Sequence, residues 1–119
     1  MPTFQKYGLP IAKILLSLAF IAAGFAKLAG VEMMVQTFEA VGVGQWFRYV
    51  TGVIEIGSAI LLWIPGRQLT GATLLVCTMI GATLAHFLIL GPSALPAIIL
   101  GILAALVAFS YRDQSLLKL

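Results

Sequence analysis

The stretch that decides the fold runs from Gln68 to Tyr111 and reads QLTGATLLVCTMIGATLAHFLILGPSALPAIILGILAALVAFSY. Its 44 residues include no Asp, Glu, Lys or Arg. As one helix it would be about 66 Å long, roughly twice the thickness of the hydrocarbon core of a bilayer. Gly91-Pro92 and Pro96 interrupt it, because glycine and proline do not continue a helix comfortably. The stretch therefore predicts two membrane-crossing helices, over about 68–90 and 95–111.

The composition of the whole chain agrees with a membrane protein. Of its 119 residues, 61% are hydrophobic and 9% are charged, and the mean hydropathy is +1.10. A soluble domain carries about 25% charged residues, so the composition excludes soluble enzyme classes. The net charge of +3 is spread along the chain and does not indicate nucleic-acid binding. We expect residues 1–119 to form a single transmembrane domain.

Two further segments have the length and apolar character of membrane spans. The first covers about 9–29, with Lys13 and Lys27 near its ends, where long side chains can reach the interface. We interpret it as a transmembrane helix rather than as a secretory signal. The second covers about 46–64 and is closed by Pro65-Gly66. The sequence thus predicts an all-α, integral membrane four-helix bundle.

The segment between these two spans has the pattern of an amphipathic helix. Its apolar positions share one helical face: Val31, Met34, Val35, Phe38 and Val41. Its polar positions lie opposite: Glu32, Gln36 and Glu39. We expect a short interfacial helix that caps the bundle; the alternative is a packed surface loop.

The basic residues predict the orientation of the bundle, because cytoplasmic loops carry an excess of Lys and Arg. Five fall on the side of the two termini: Lys6, Lys13, Arg67, Arg112 and Lys118. Two fall on the other side: Lys27 and Arg48. We therefore expect an integral protein of a bacterial inner membrane, with both termini in the cytoplasm and the amphipathic helix outside.

Four ionisable residues are the candidate site. Glu55 lies near the middle of the second span, where an isolated carboxylate costs at least about 3 kcal/mol. In the predicted topology Lys27, Arg48 and His86 occupy the same outer half. Two interpretations stay open: the cluster holds the helices in register, or it lines a pocket for a lipid-like ligand or a quinone, in which His86 and Glu55 can exchange protons. Because intramembrane ionisable residues generally have a function, we predict that these four residues bind a ligand.

The remaining features indicate little chemistry. Cys77 is the single cysteine, which excludes an internal disulfide and a CxxC pair, and we interpret it as a helix-packing residue. A metal site is not expected, because one histidine and one thiol without repeated ligand spacing do not assemble a normal site. The small-residue pairs Gly81/Ala85 and Gly101/Ala105 predict close helix contacts.

Five short pieces of the sequence occur in an order and spacing that are specific together. They are Ala23–Leu28 at the end of the first span, Phe38–Gly42 in the outer loop, Thr51–Ala59 in the second span, Gly71–Ala72 and Ala82–His86. In these pieces the sequence resembles the DoxX-like family of small four-span membrane proteins. The resemblance extends over nearly the whole chain and implies a four-helix membrane bundle.

The resemblance also implies possible activities. Members are similar to the membrane subunit of thiosulfate:quinone oxidoreductases, to a partner in an oxidative-stress membrane complex, and to eukaryotic receptor-assembly factors. Because this chain has no cysteine pair, a redox role would need partner proteins. We leave open whether the protein is itself an enzyme.

Our leading hypothesis is a membrane-embedded component of a quinone-linked or redox-protective complex, with a polar intramembrane pocket for a hydrophobic ligand. No covalently bound cofactor is expected, and quinone is the candidate cofactor. The expected partners are the lipid bilayer, a hydrophobic small molecule and other membrane or redox proteins, and a homo-oligomer is compatible with the sequence. One alternative is a non-catalytic scaffold or assembly factor. A small multidrug transporter is disfavoured, because that family is expected to carry its glutamate in the first span, where this chain has Lys27.

Overall fold

The structure is a computed structural model that describes residues 3–91 and 93–114. Pro92 and Lys118, which entered the sequence interpretation, lie outside these residues. The described chain is all-α, without strands. Its α-helices are α1 (Leu9–Ala29), α2 (Glu32–Val41), α3 (Gln45–Leu61), α4 (Gln68–Ala85) and α5 (Leu95–Ser110). A π-helical turn precedes α1 at Phe4–Gly8, and another follows α4 at His86–Leu90.

The ends of the helices follow from local sequence. Gly30 ends α1 with a φ of +72°, and Gly42 ends α2 with a φ of +84°. Glycine adopts this left-handed conformation readily because it has no Cβ. Pro10 and Pro96 stand in the first turns of α1 and α5, where the missing backbone N–H has no helical partner to lose.

The helix bounds lie close to those expected from the sequence. The α1 helix covers 9–29, α4 with its π-helical turn covers 68–90, and α5 ends one residue before the predicted 95–111. The α3 helix ends at Leu61, three residues before the predicted bound. The N–H groups of Trp63 and Ile64 donate to carbonyl oxygens three residues back along the chain instead of four, so the α-helix ends in a tighter turn. Between the first two long helices the chain forms the helix α2, so the alternative of a packed loop is wrong.

The four long helices form a ring with α2 across one end. The α1 helix packs against α3 and α5, and α4 packs against the same two helices. The α2 helix contacts α3, the π-helical turn after α4, and α1. We call this end of the ring the α2 end. The opposite end, which holds the connection from α3 to α4, is called the terminal end.

The tightly packed core lies mainly towards the terminal end. Its largest apolar side chains are at most 1% exposed: Leu16, Phe20, Leu62, Leu75 and Val107. Small residues between them, Ala59, Ala72 and Ala104, are fully buried. Small side chains allow the helix backbones to approach closely, which is the usual source of helix association in a membrane.

The outward faces of the ring are strongly apolar. More than a third of the side-chain surface is exposed at Leu18, Phe25, Val53, Ile60, Ile80, Leu84, Ile102 and Phe109. Soluble monomers rarely expose a continuous apolar surface of this kind. Within residues 3–91 and 93–114, two helical segments are long and apolar enough to cross a membrane, Phe4–Ala29 and Gln68–Leu90, while the apolar helix α5 is shorter. These features support a membrane protein.

Two sequence interpretations of α4 and α5 need correction. Cys77 is exposed rather than packed between helices. Gly81 is also exposed, and a Cβ added there would meet nothing within 4 Å. Gly101 does contact α4, because an added Cβ would lie 3.2 Å from the Cβ of Met79, but Ala105 is exposed. The α4 helix is apolar on nearly every side, so its sequence has no periodicity that identifies the inward face.

Candidate functional site

A wedge-shaped cavity lies between α3 and α4 at the α2 end. Its volume is about 430 Å³. Towards the terminal end the two helices touch, since a Cβ added at Gly71 of α4 would lie 2.6 Å from the carbonyl oxygen of Ser58 in α3. Further along the two helices, Thr51 and Ile54 of α3 and Thr78 and Ala82 of α4 line the cavity. The two helices therefore diverge from their contact at Gly71, and the cavity occupies the space between them.

A glycine crossing brings α1 and α3 together beside this cavity. A Cβ added at Gly24 would lie 2.8 Å from the carbonyl oxygen of Gly52, and a Cβ added at Gly52 would lie 3.0 Å from the carbonyl oxygen of Gly24. Only residues without a side chain fit such a close approach of two backbones. The crossing sets the distance between the two helices at the level of the candidate site.

Lys27 and Glu55 each stand three residues after a crossing glycine. In an α-helix the Cα–Cβ bonds tilt towards the N-terminus. Since α1 and α3 run in opposite directions, both side chains lean back towards the level of Gly24 and Gly52. Each covers about 4.5 Å along its helix to reach that level. The antiparallel crossing therefore makes the two charged groups converge.

Lys27 and Glu55 form a buried ion pair on the cavity wall. Lys27 Nζ lies 2.8 Å from Glu55 Oε1, and the two side chains are 13% and 2% exposed. Both residues line the cavity. The sequence analysis required a partner for Glu55 and left three candidates; the structure selects Lys27. Such a pair needs good geometry, because the loss of hydration of two charges is expensive.

Arg48 lies close to this pair but is not among the residues that line the cavity. Its Nη1 donates to the carbonyl oxygen of Lys27, and its Nε donates to Gln45 Oε1 at 2.8 Å. The carbonyls in the last turn of a helix have no helical donor and carry partial negative charge. Arg48 therefore caps the C-terminus of α1. This contact holds the backbone that carries the Lys27 side chain.

His86 also lines the cavity, from the end of α4. It is half-buried and is the first residue of the π-helical turn His86–Leu90. That turn closes with a bond from the Gly91 N–H to the His86 carbonyl oxygen at 2.9 Å. Single π-helical turns within helices occur frequently at functional sites. The structure thus places Lys27, Glu55 and His86 around one cavity and Arg48 beside it.

The α2 helix covers the cavity with its apolar face. Met34, Thr37, Phe38 and Val41 line the cavity, and Phe38 is 7% exposed. The Phe38 ring packs edge-on against Phe47 of α3, with the two ring centroids 6.0 Å apart. Aromatic pairs favour this arrangement. The amphipathic pattern of α2 thus closes the end of the cavity that faces away from the core.

A second polar cluster at the terminal end was missed by the sequence analysis. Lys13 Nζ donates to the Tyr111 hydroxyl at 3.0 Å and lies 4.4 Å from the centre of the Trp63 ring. The Trp63 Nε1 donates to Ser17 Oγ at 2.7 Å. Sequence gives little signal for it, because its members come from three separate segments. None of these four side chains lines the cavity between α3 and α4.

Metal binding finds no support in the described part of the chain. Residues 3–91 and 93–114 include no group of three or more His, Cys, Asp or Glu side chains that could hold a metal ion. The ionisable groups in the cavity wall are the Lys27 ammonium, the Glu55 carboxylate, the His86 imidazole and the Cys77 thiol.

Comparison with known proteins identifies the family. A model of the DoxX-like family matches residues 11–110. The chain belongs to the DoxX-like family. The matched range includes all four candidate site residues and both crossing glycines. Neither the curated proteins nor the solved structures include a match to this DoxX-like chain. Family membership and the two long apolar helices together support a DoxX-like membrane protein.

The two crossing glycines are the important residues that the sequence analysis did not single out as a pair. Their signal was present, because Gly24-Phe25-Ala26-Lys27 and Gly52-Val53-Ile54-Glu55 share one spacing. In each, a glycine precedes an intramembrane charge by three residues, which is about one helical turn. When two such segments belong to antiparallel helices and carry opposite charges, the pattern predicts that the helices cross at the glycines and that the two charges form an ion pair.

Proposed function

We propose that this protein is the membrane-embedded component of a quinone-linked or redox-protective complex, and that its cavity binds the polar head of a hydrophobic ligand such as a quinone. The proposal rests on the Lys27–Glu55 ion pair in the wall of a mostly apolar cavity of about 430 Å³. Small-molecule pockets measure about 300–1,000 Å³ and combine apolar walls with a few polar groups that orient the ligand.

Lys27 is the principal donor for such a ligand. Its ammonium group carries three N–H donors, and its nitrogen lies 2.8 Å from Glu55 Oε1. The hydroxyls of Thr37, Thr51 and Thr78 also line the cavity, but each donates to a carbonyl of its own helix. A carbonyl or other acceptor oxygen of the ligand therefore finds its donor at Lys27.

Glu55 and His86 supply the groups that can exchange protons. A carboxylate and an imidazole in the wall of one cavity can accept and return protons when a bound quinone is reduced and reoxidised. The electrons would come from a partner redox protein, since the chain has one cysteine and no second thiol. In this proposal Arg48 is a positioning residue, because its contact with the Lys27 carbonyl holds the donor in place.

The same proposal includes an arrangement in the bilayer. The helices α1, α3, α4 and α5 cross the membrane as one domain, and α2 lies at the outer interface. Four basic residues of the described chain lie towards the terminal end: Lys6, Lys13, Arg67 and Arg112. The bias of basic residues supports cytoplasmic termini in a bacterial inner membrane.

The orientation is tested by accessibility of single cysteines. In a Cys77→Ser background, a cysteine at Gln36 should react with a membrane-impermeant maleimide added outside the cell. A cysteine at Gln114 should react only after the membrane is opened. The reverse pattern would place the cavity in the cytoplasmic half of the bilayer.

Ligand binding is tested by titrating the purified protein with decylubiquinone. Glu55→Gln and His86→Ala should each weaken binding, by about tenfold for a lost hydrogen bond to a charged group. The matched control is Glu39→Gln, which changes an exposed glutamate of α2 that does not line the cavity. Equal affinities for wild type, Glu55→Gln and Glu39→Gln would contradict the proposal and favour the scaffold alternative.

A further inference from the structure

The cavity has exposed residues on one flank only. Of the residues that line it, four are exposed: Phe47 and Ile54 of α3, and Cys77 and Gly81 of α4. The other lining residues, which come from α1, α2, α3, α4 and the π-helical turn, are buried or half-buried. We call these four exposed residues the mouth. The mouth lies in the gap where α3 and α4 diverge.

The remaining sides of the cavity are closed by contacts already described. The α2 helix covers the end of the cavity, with Phe38 buried against Phe47. The crossing of Gly24 and Gly52 closes the side towards α1, and the contact of Gly71 with Ser58 closes the terminal end. A solute can therefore reach the ion pair through the mouth without unpacking a helix contact.

The mouth opens onto the apolar outer surface of the bundle. Val53, Ile80 and Leu84 are the neighbours of mouth residues along α3 and α4, and each is more than half exposed. The mouth itself contains no charged side chain. A surface of this kind is hydrated poorly and is covered by acyl chains in a bilayer. The opening thus faces hydrocarbon rather than water.

We propose that the ligand enters the cavity sideways from the hydrocarbon, through the mouth between α3 and α4. The class of ligand that fits is an amphiphile with an oxygen-bearing head and an apolar chain. The head lies at Lys27 and Glu55, and the chain passes out between α3 and α4. This inference rests on the proposed function, since it concerns the same cavity, but it does not require the head to be a quinone.

The glycine at the mouth allows a direct test. A Cβ added at Gly81 would meet nothing within 4 Å, so the side chain of Gly81→Leu begins in open space at the mouth. Gly57→Leu in α3 is the matched control, because a Cβ added at Gly57 also meets nothing within 4 Å and Gly57 does not line the cavity. Cys77→Phe narrows the same mouth one helical turn away and serves if Gly81→Leu fails to fold.

The experiment uses phosphatidylcholine vesicles that contain a long-chain alcohol with an alkyl diazirine close to its hydroxyl, which is the oxygen-bearing head that the cavity should take. After irradiation, mass spectrometry locates the labelled residues. Val53 and Ile60 report ordinary lipid contact, because both are exposed on α3. We expect label there and also at Thr51 and Glu55, which line the cavity. The two mouth variants should lower the label at Thr51 and Glu55 several-fold and leave Val53 and Ile60 unchanged, whereas the glycine control should change none of these sites.

The outcomes separate this inference from the proposed function. Label at the lipid-facing sites without label at Thr51 and Glu55 overturns the sideways entrance, as does an equal loss of label in the mouth variants and the control. Excess decylubiquinone that displaces the cavity label supports both proposals. Cavity label that depends on the mouth but resists decylubiquinone supports the entrance and contradicts quinone as the ligand.

Discussion

The two ends of the bundle surround a lysine of α1 with different side chains. Lys13 and Lys27 both belong to α1 and lie about 21 Å apart along its axis. At the terminal end, Lys13 contacts the Tyr111 hydroxyl and the rings of Trp63 and Tyr111. At the α2 end, Lys27 contacts the carboxylate of Glu55 beside a cavity. One lysine is held by aromatic side chains, and the other by a counter-ion.

The difference teaches that packing and charge pairing are separated along the bundle. At the terminal end, beside the tightly packed core, aromatic rings and a hydroxyl are the groups that contact the lysine ammonium. The α2 end is less densely filled, and its lysine is partnered by a deeper, almost fully buried carboxylate. The tightly packed core thus lies towards one end, and the cavity lies at the other.

The largest expected effect comes from breaking the ion pair. Lys27→Leu or Glu55→Leu alone leaves one buried charge without its partner, which costs about 3–5 kcal/mol of unfolding free energy. The double variant should cost clearly less than the sum of the two. Unfolding in detergent measures all three, and additive effects would show that the contact contributes nothing.

The same measurement on Glu55 and His86 sharpens the result. The Glu55→Leu/His86→Leu double variant should also lose less unfolding free energy than the sum of the two single variants. The coupling should be smaller than for Lys27 and Glu55, because the ion pair of Glu55 is with Lys27.

If the cavity binds a ligand, the Lys27→Leu/Glu55→Leu protein should be stable and should no longer bind it. A stable double variant that still binds the ligand would show that the cluster is structural.

A matched pair of phenylalanines compares the packing of the two regions. Phe20 is 1% exposed in the core, whereas Phe47 is 38% exposed at the mouth. Phe20→Ala should lower the free energy of unfolding by about 3 kcal/mol, because it leaves a cavity in packed surroundings. Phe47→Ala should cost about 1 kcal/mol, mainly through the lost contact with Phe38. Thermal unfolding in detergent compares them, and equal losses would contradict the difference in packing.

Gly24 and Gly52 bring α1 and α3 together beside the cavity, and a methyl group added at Gly24 tests how close that approach is. A Cβ at Gly24 would lie 2.5 Å from Ile56 Cγ1 and 2.8 Å from the Gly52 carbonyl oxygen. Gly24→Ala should therefore cost about 2 kcal/mol through overpacking and should weaken decylubiquinone binding by moving Lys27 away from Glu55. Gly57→Ala is the control and should be neutral or slightly stabilising. A Gly24→Ala protein as stable as the control would rule out the close crossing.

The smallest effect is expected at the terminal end. Lys13→Met keeps the aliphatic part of the side chain and removes the cation beside Trp63 and Tyr111, which should cost about 1 kcal/mol. Decylubiquinone binding should not change, since Lys13 does not line the cavity. Detergent unfolding and the quinone titration together measure both effects. Weaker quinone binding in Lys13→Met would mean that the two ends are coupled.

Much of the helical structure was predictable, because each signal lies within one segment. The uncharged run and its glycine and proline breaks predicted α4 and α5, and helical spacing of apolar residues predicted α2. The position of Glu55 within a helix followed from its place near the middle of the second predicted span. The inward face of α4 was not predictable, since an almost uniformly apolar helix has no periodic signal, and Cys77 and Gly81 were misassigned for this reason.

The sequence by itself determined which residues form helices and which polar side chains stand within them. Only the tertiary structure decided that Glu55 pairs with Lys27, that Arg48 caps α1 beside the cavity, and that His86 lines the same cavity as the pair. The physical reason is that helical periodicity describes one helix at a time. The partner of a side chain depends on where two helices cross, and in this protein the approach of Gly24 to Gly52 and the divergence of α3 from α4 beyond Gly71 set that geometry.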